Sequence, residues 1–168
     1  FDWDDTLADN WSSIHVALNK TLVEMGHQPW TFEKMKENVR ESLRNSFPKL
    51  FSKDWKKAEK IFYKSLYQTH LKGLKPKNYA NDLLKTLRKR QIILGVVSNK
   101  SGGLLRLECD HLGWSDYFVS VIGANDAKRD KPSPDPIYLL LGAINHEPGK
   151  EIWFVGDAET DIECAYNA

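Results

Sequence analysis

Two groups of carboxylates stand near the two ends of this chain, with a hydroxyl and two lysines between them. Asp2 and Asp4 follow Phe1, and Asp5 and Thr6 come next; Asp157 and Asp161 follow the apolar run Ile152–Val155. In between, Ser98-Asn99-Lys100 follows Ile92–Val97, and Lys131-Pro132 closes the polar stretch Asn125–Lys131. Paired carboxylates can move protons or offer oxygens to a hard cation, and a hydroxyl with an ammonium can take up an anion. Singly, each residue has an ordinary use. Asp at the start of an element is commonly a cap or turn residue, Ser98 alone is a turn hydroxyl, and Lys131 alone is a surface lysine. Their shared position, just after short apolar runs, points to one common site.

The elements that would gather these residues are legible in outline. Ile92–Val97, Phe118–Ile122 and Ile152–Val155 have strand length, and helical patterns separate them. One runs through Leu83, Leu84 and Leu87 into Arg88-Lys89-Arg90. A second runs through Leu104, Leu105 and Leu112 to Gly113. A third starts at Ser133-Pro134, with Pro at the favoured first position, and carries Ile137, Leu140, Leu141 and Ile144. Apolar strands alternating with helices predict an α/β fold with a parallel sheet covered on both faces. In such sheets ligands bind beyond the carboxyl ends of the strands, where all the residues above would lie. The first part of the chain reads as helical instead. Trp11, Ile14, Leu18, Leu22 and Met25 recur at helical spacing, with Gly26 in the place of a C-terminal cap. Thr31 is placed to cap a second helix through Phe32, Met35 and Val39, and Asp54 a third through Trp55, Ala58, Ile61, Phe62 and Leu66. Lys72–Asn78, with Gly73 and Pro76, reads as a linker.

Composition excludes several classes. With 168 residues, 41% hydrophobic and 28% charged, the chain is soluble and globular, with enough length for a real core. No apolar run approaches the roughly 18–20 residues of a membrane helix. Two cysteines, Cys109 and Cys164, without CxxC or a Cys/His cluster, argue against a disulfide framework or zinc finger and for a reducing, cytoplasmic compartment. The net charge of +1 hides an asymmetry, since residues 9–78 carry +7 and the remainder −6. That division suits a small anionic molecule held between the two parts, with the acidic part carrying a cation. Lys53, Lys56, Lys57, Lys60 and Lys64 fit a solvated helix face. No nucleic-acid module is present, and neither nucleic acid nor a membrane is an expected partner; oligomeric state is not encoded legibly. The chain shows no signal peptide, begins in mid-element at Phe1 and ends inside a helical pattern at Ala168, and so reads as a piece of a longer protein.

Taken in order, four motifs resemble those of the haloacid dehalogenase superfamily of phosphohydrolases. They are Phe1-Asp2-Trp3-Asp4-Asp5-Thr6-Leu7 for DxDxT, Ser98 in Gly95-Val96-Val97-Ser98-Asn99-Lys100, Lys131-Pro132-Ser133-Pro134, and Gly156-Asp157-Ala158-Glu159-Thr160-Asp161 for GDxxxD. Val96–Lys100, Tyr117-Phe118 and Lys131-Pro132 are most similar to the phosphoglycolate-phosphatase-like branch. The resemblance implies a Rossmann-like core over residues 1–8 and 79–168 and an inserted α-helical cap of the C1 type over residues 9–78. There are departures: Asp5 stands where many relatives have Gly, Ser101-Gly102-Gly103 where phosphoglycolate phosphatases often have Pro, and most of the first strand is missing.

The resemblance also assigns roles for a Mg²⁺-dependent phosphatase of a small, phosphoglycolate-like metabolite. Asp2 would attack phosphorus to form an aspartyl-phosphate, and Asp4 would protonate the leaving group and then activate water. Asp2, Asp157 and the backbone carbonyl of Asp4 would hold Mg²⁺, with Asp161 acting through its surroundings or a bound water. Ser98, Asn99 and Lys131 would hold the phosphoryl oxygens. In the cap, Arg40 and Arg44 lie one helical turn apart and are placed to meet a second anionic group. Trp11, Trp30 and Trp55 fit a helical core or a specificity pocket, and His15 a structural place or the cleft. Other chemistries compete. Hydrolytic dehalogenation needs no metal, and its enzymes generally lack an acid at the place of Asp4; a phosphosugar mutase shares nearly all of these residues. A non-enzymatic phosphate-binding or receiver-like signalling domain also gathers acids and Lys-Pro at strand ends. The receiver-like form would have no helical insert over residues 9–78.

Overall fold

In the computed structural model, which describes residues 1–168, the chain leaves a sheet layer at Asp9 and returns to it at Lys75. The two crossings lie side by side as an antiparallel pair, β1 (Ala8–Asp9) with β2 (Lys75–Pro76). Between them run α1 (Trp11–Glu24), α2 (Phe32–Asn38), α3 (Leu43–Phe51) and α4 (Trp55–Gly73). The spacing of three and four in α1 puts Ile14, Leu18 and Leu22 on one face, packed with Ala58, Phe62 and Leu66 of α4. Burying each such leucine contributes about 1.5–3 kcal/mol. Beyond α1, Gly26 adopts φ +80, which a glycine takes without steric cost. The Thr31 hydroxyl accepts from the Lys34 N–H at 3.2 Å and starts α2.

Three local features differ from the pattern-based expectation. The helix α3 is not among the expected elements; Pro48 inside it costs one backbone bond, and burial of Phe47 and Phe51 offsets it. Asp54 does precede α4, but its side chain makes no capping bond, since one 3-10 turn over Ser52–Asp54 leads the chain into the helix. The predicted linker over residues 72–78 is the last turn of α4 followed by β2.

In the sheet layer, β3 (Gly95–Ser101) pairs in parallel with β4 (Ser120–Ala124). Both start later than the apolar runs suggest. Ile92 and Ile93 are exposed ahead of β3, and a 3-10 turn over Ser115–Tyr117 delays β4 while Phe118 turns into the core. On the other side of β3 the Val97 N–H donates to the Phe1 carbonyl (2.9 Å), and the Asp2 N–H donates to the Val155 carbonyl (2.8 Å). The order is thus β4, β3, Phe1–Asp2, then the stretch 152–155. That last stretch, predicted as a strand, is extended chain without a ladder, because one backbone bond alone joins it to its neighbour.

Four helices complete this layer: α5 (Ala80–Lys89), α6 (Gly102–His111), α7 (Asp135–Gly142) and α8 (Glu159–Asn167). Successive strand residues face opposite sides. Val96 packs with Leu84 of α5 and Leu105 of α6, while a Cβ on Gly95 would strike Leu140 of α7. Helices therefore cover both faces. Gly102 is required where α6 meets the turn after β4: a Cβ there would lie 2.3 Å from the Asp126 carboxylate, which accepts from the Gly123 N–H at 2.8 Å. No helix is long and apolar enough to cross a membrane.

Candidate active site

The end of β3 builds the first part of the site. Its pairing jumps from Val97–Ile122 to Ser101–Ala124, so Ser98, Asn99 and Lys100 face only Gly123 and the strand bows out. The Ser98 hydroxyl sits at the floor of a cavity and accepts from the Lys100 N–H at 3.2 Å. The Asn99 amide donates to the carbonyls of Lys131 (3.1 Å) and Arg40 (3.3 Å), while its buried Oδ1 has no partner.

Beside it lies an excess of carboxylates. Lys131 Nζ is 2.6 Å from Asp2 Oδ1 and 2.5 Å from Asp161 Oδ1, and Lys131 is only 2% exposed. One oxygen each from Asp2, Asp157 and Asp161 lie within 4.8 Å of one another. Gly156 makes this approach possible, since a Cβ there would fall 2.3 Å from Asp161 Cγ. Asp161 is fixed in turn by the Ala158 N–H at 3.0 Å, and the Thr6 hydroxyl donates to Asp157 at 3.3 Å. Burial, then the neighbouring Asp2, Asp5 and Asp161, push the Asp157 carboxyl upward. Burial would lower Lys131, but Asp2 and Asp161 more than reverse it and raise the ammonium. Three converging carboxylates against one lysine are an oxygen-rich donor set that fits a hard divalent cation.

Asp4 points away from that cluster. Its Oδ1 accepts from Lys100 Nζ at 2.7 Å, and its side chain keeps 18% exposure. Burial pushes its carboxyl up to about 7; Lys100 opposes the shift and Glu108 adds to it. Glu108 is fully buried and accepts from four donors: Trp3 Nε1 (2.8 Å), Asn10 Nδ2 (2.8 Å), His70 Nδ1 (3.2 Å) and Lys100 Nζ (2.6 Å). Asn10 precedes α1 without capping it: its Nδ2 donates to Glu108, and its buried Oδ1, the atom a cap would use, has no partner. Sequence reasoning missed this hub. The available signal was spacing: Glu108 falls on the apolar stripe of Leu104, Leu105 and Leu112, where a carboxylate must be buried and therefore partnered.

Asp5 lies outside both clusters. It holds φ +68, a left-handed conformation that Asp tolerates better than most residues. Its carboxylate takes Lys36 at 2.8 Å and Lys77 at 2.5 Å. Burial would raise it, but hydrogen bonds from these lysines prevail and hold it below the usual carboxylate range.

Above the floor is a cavity of about 570 Å³ bounded by α1, α3 and α4. Arg40 lies on its exposed margin, whereas Arg44 is engaged elsewhere, with its guanidinium 2.6 Å from each Asp130 oxygen. The two arginines do not share a helical turn, since Arg40 precedes α3 and Arg44 is inside it. Trp11 and Trp30 line the cavity; Trp55 does not, and lies under Lys56 at 3.8 Å. His15 bonds the Trp30 carbonyl at 2.8 Å and is structural. The five lysines from Lys53 to Lys64 are exposed away from the cavity. Cys109 and Cys164 are buried, and burial raises both thiols to about 11, so neither is a nucleophile.

The profile of the family described as haloacid dehalogenase-like hydrolase matches residues 1–168. A phosphoglycolate phosphatase from Aquifex aeolicus is 30% identical over 169 residues, covering 100% of this chain and 79% of that protein. A crystal structure of a haloacid dehalogenase superfamily hydrolase from Ehrlichia chaffeensis is 32% identical with a TM-score of 0.67, covering 99% of this chain and 80% of its own. A hydrolase of the same family from Streptococcus pneumoniae, 23% identical, superposes with a TM-score of 0.85 over 99% of this chain and 78% of its own, which speaks to the fold.

Proposed function

The chain belongs to the haloacid dehalogenase-like hydrolase family, in its phosphoglycolate-phosphatase-like branch, and from that premise we propose a Mg²⁺-dependent phosphatase that works through an aspartyl-phosphate on Asp2. The observation that supports this most is the cavity floor, where Asp2, Asp157 and Asp161 converge around Lys131 while Asp4 stands apart on Lys100. In this reading residues 9–78 are a cap over a catalytic core of residues 1–8 and 79–168. Two buried free cysteines agree with a cytoplasmic setting.

A phosphate monoester dianion repels an attacking carboxylate, so its charge must be offset first. Lys131 and the Ser98 hydroxyl take the phosphoryl oxygens. Asp2 then forms an O–P bond as the bond to the leaving oxygen breaks, and Asp4 gives that oxygen its proton. In the second half Asp4 takes a proton from water, the water oxygen bonds to phosphorus, and the Asp2–phosphorus bond breaks. Mg²⁺ held by Asp2, Asp157 and the Asp4 backbone carbonyl, with Asp161 alongside, supplies charge neutralisation when bound.

The test is phosphate release from a panel of phosphorylated metabolites, with Mg²⁺ and with EDTA, for the wild type beside Asp2→Asn. Turnover should need the metal and fall by a factor on the order of 10⁴ or more in the variant. Turnover that survives either change would overturn the proposal.

A further inference from the structure

Arg44 is badly placed for the helix that carries it. It stands second in α3, where unpaired N–H groups already make the helix end positive, and no acidic residue shares that first turn. Ser42 ahead of it makes no capping bond, and its buried hydroxyl has no partner. A cation gains nothing there from its own helix. Its partner comes instead from the sheet layer, 86 residues away in sequence.

The guanidinium forms a fork on Asp130: Nε donates to Oδ2 and Nη2 to Oδ1, both at 2.6 Å. Nη2 also donates to the Ala127 carbonyl at 3.2 Å. The Asp130 side chain is 1% exposed, and its Oδ1 accepts from the Asn125 N–H at 3.0 Å as well. The Asp130 carbonyl accepts from the Ser133 N–H at 2.9 Å. Arg44 thus grips the loop after β4 at two points directly ahead of Lys131. A second thread reaches Lys131 itself, since the Asn99 amide joins its carbonyl to that of Arg40. The Lys131 backbone is held between Asp130 and Asn99, and each of these is bonded to the segment 40–44 of the helical layer. Such a fork fixes direction as well as distance, which a single ammonium contact does not.

Resting on the phosphatase reading above, we infer that Arg44 and Asp130 are a positioning pair for Lys131. Docking of α3 through Arg44 fixes the loop 125–131, and the loop sets the Lys131 ammonium between Asp2 and Asp161, where it meets the phosphoryl oxygens. Neither member of the pair lines the cavity, so neither touches the phosphoryl group. Closing the helical layer and completing the cavity floor are then one event. Without the fork, Asp130 is a buried carboxylate that has lost its cation, and the loop carrying Lys131 must shift to hydrate it.

The experiment measures p-nitrophenyl phosphate turnover, inhibition by inorganic phosphate and the half-saturating Mg²⁺ concentration. It compares the wild type, Arg44→Met, Arg44→Lys and Lys36→Ala, with folding checked by circular dichroism. Folded Arg44→Met should lose about tenfold to a hundredfold in kcat, the scale of a misplaced catalytic group. Inorganic phosphate, which occupies the floor alone, should inhibit it more weakly, while its Mg²⁺ requirement stays within about twofold of the wild type. Arg44→Lys keeps the charge without the fork and should fall between the two; it carries the test if the methionine variant does not fold. Lys36→Ala, which removes a more exposed ion pair between the same layers, should stay within about twofold throughout. A folded Arg44 variant with wild-type kcat and phosphate inhibition would overturn the inference. So would phosphate and Mg²⁺ binding weakened together, or Lys36→Ala losing as much, since both mark a general loosening; all three leave the phosphatase reading intact. No metal-dependent turnover by the wild type would remove that reading, and this inference with it.

Discussion

Lys131 and Lys100 are buried alike, at 3% and 4% side-chain exposure, yet their surroundings are built on opposite ratios. Around Lys131 carboxylates outnumber donors: Asp2 and Asp161 touch it and Asp157 closes the triangle. Around Lys100 one carboxylate is over-supplied, since Glu108 also takes the indole of Trp3, the amide of Asn10 and the ring of His70. Both clusters are networks of buried charge. The first is short of positive charge, which in the proposed reading leaves oxygens for a cation and one to attack a phosphoryl group. The second is close to saturated and ties both layers together, with Trp3, Lys100 and Glu108 from the sheet layer, Asn10 at the crossing and His70 from α4. Counting donors against carboxylates separates the cluster proposed to carry the nucleophile and the cation from the one that positions Asp4.

Removing each lysine's function in turn should break this contrast. Lys131→Met in EDTA should destabilise the protein by about 3–5 kcal/mol, as for a buried charge left without its partner. Mg²⁺ should raise its Tm more than that of the wild type, because the added charge stands in for the lost ammonium. Equal Tm gains in thermal scans of the two proteins would mean that the three carboxylates are not short of a cation.

Glu108→Gln keeps the shape of the hub and removes its charge. Urea unfolding should show a loss of about 1.5–3 kcal/mol, the range for hydrogen bonds to a charged group. The same variant should slow alkyl phosphates more than aryl phosphates, whose good leaving groups need little help from the proton on Asp4. Equal slowing of both would reduce Glu108 to a purely structural part.

A pH profile sharpens the comparison further. The Asp4 carboxyl, pushed up to about 7, must carry a proton to act as an acid. Its contribution is therefore complete below that value, and kcat/KM for an alkyl phosphate should fall about tenfold per pH unit above it. The stability linkage has the same sign: the folded state holds this proton more tightly than the unfolded chain. That stabilisation is fully present below the ordinary Asp value and is lost as pH rises through about 7. A flat profile from roughly one pH unit below the Asp4 value to roughly two units above it would remove Asp4 from the acid role.

The smallest effect belongs to the exposed pair between layers. Lys36→Ala removes one of two lysines on Asp5 and should cost less than about 1 kcal/mol, a difference that added salt erases. A larger loss by urea unfolding would make Asp5 a principal fastener of the two layers.

Much of this arrangement is legible in the residues themselves. Asp2, Asp4, Ser98, Asp157 and Asp161 follow apolar residues and Lys131 closes the polar loop after another apolar run, so a rule about strand ends suffices to collect them. What escapes local pattern depends on distant partners. Spacing marks Glu108 as buried, but its partners are illegible until the fold brings Asn10 and His70 to it from 98 and 38 residues away. Arg44 reads as a substrate contact until Asp130 claims it. The helix α3 is hidden because a proline in its second half outweighs an apolar stripe that only the packed helices reward. The stretch 152–155 forms no ladder, since one backbone bond alone joins it to Asp2.

The most direct test of the account is where the phosphoryl group goes. In Asp4→Asn the step that activates water is removed, so an activated aryl phosphate with Mg²⁺ should leave the enzyme phosphorylated. Acid quench followed by peptide mass spectrometry should find one phosphoryl group on the peptide that contains Asp2, and none when Asp2→Asn is added. Burst release of the phenol with no modified peptide, or with the phosphoryl group on any other residue, would contradict the assignment of Asp2 as nucleophile.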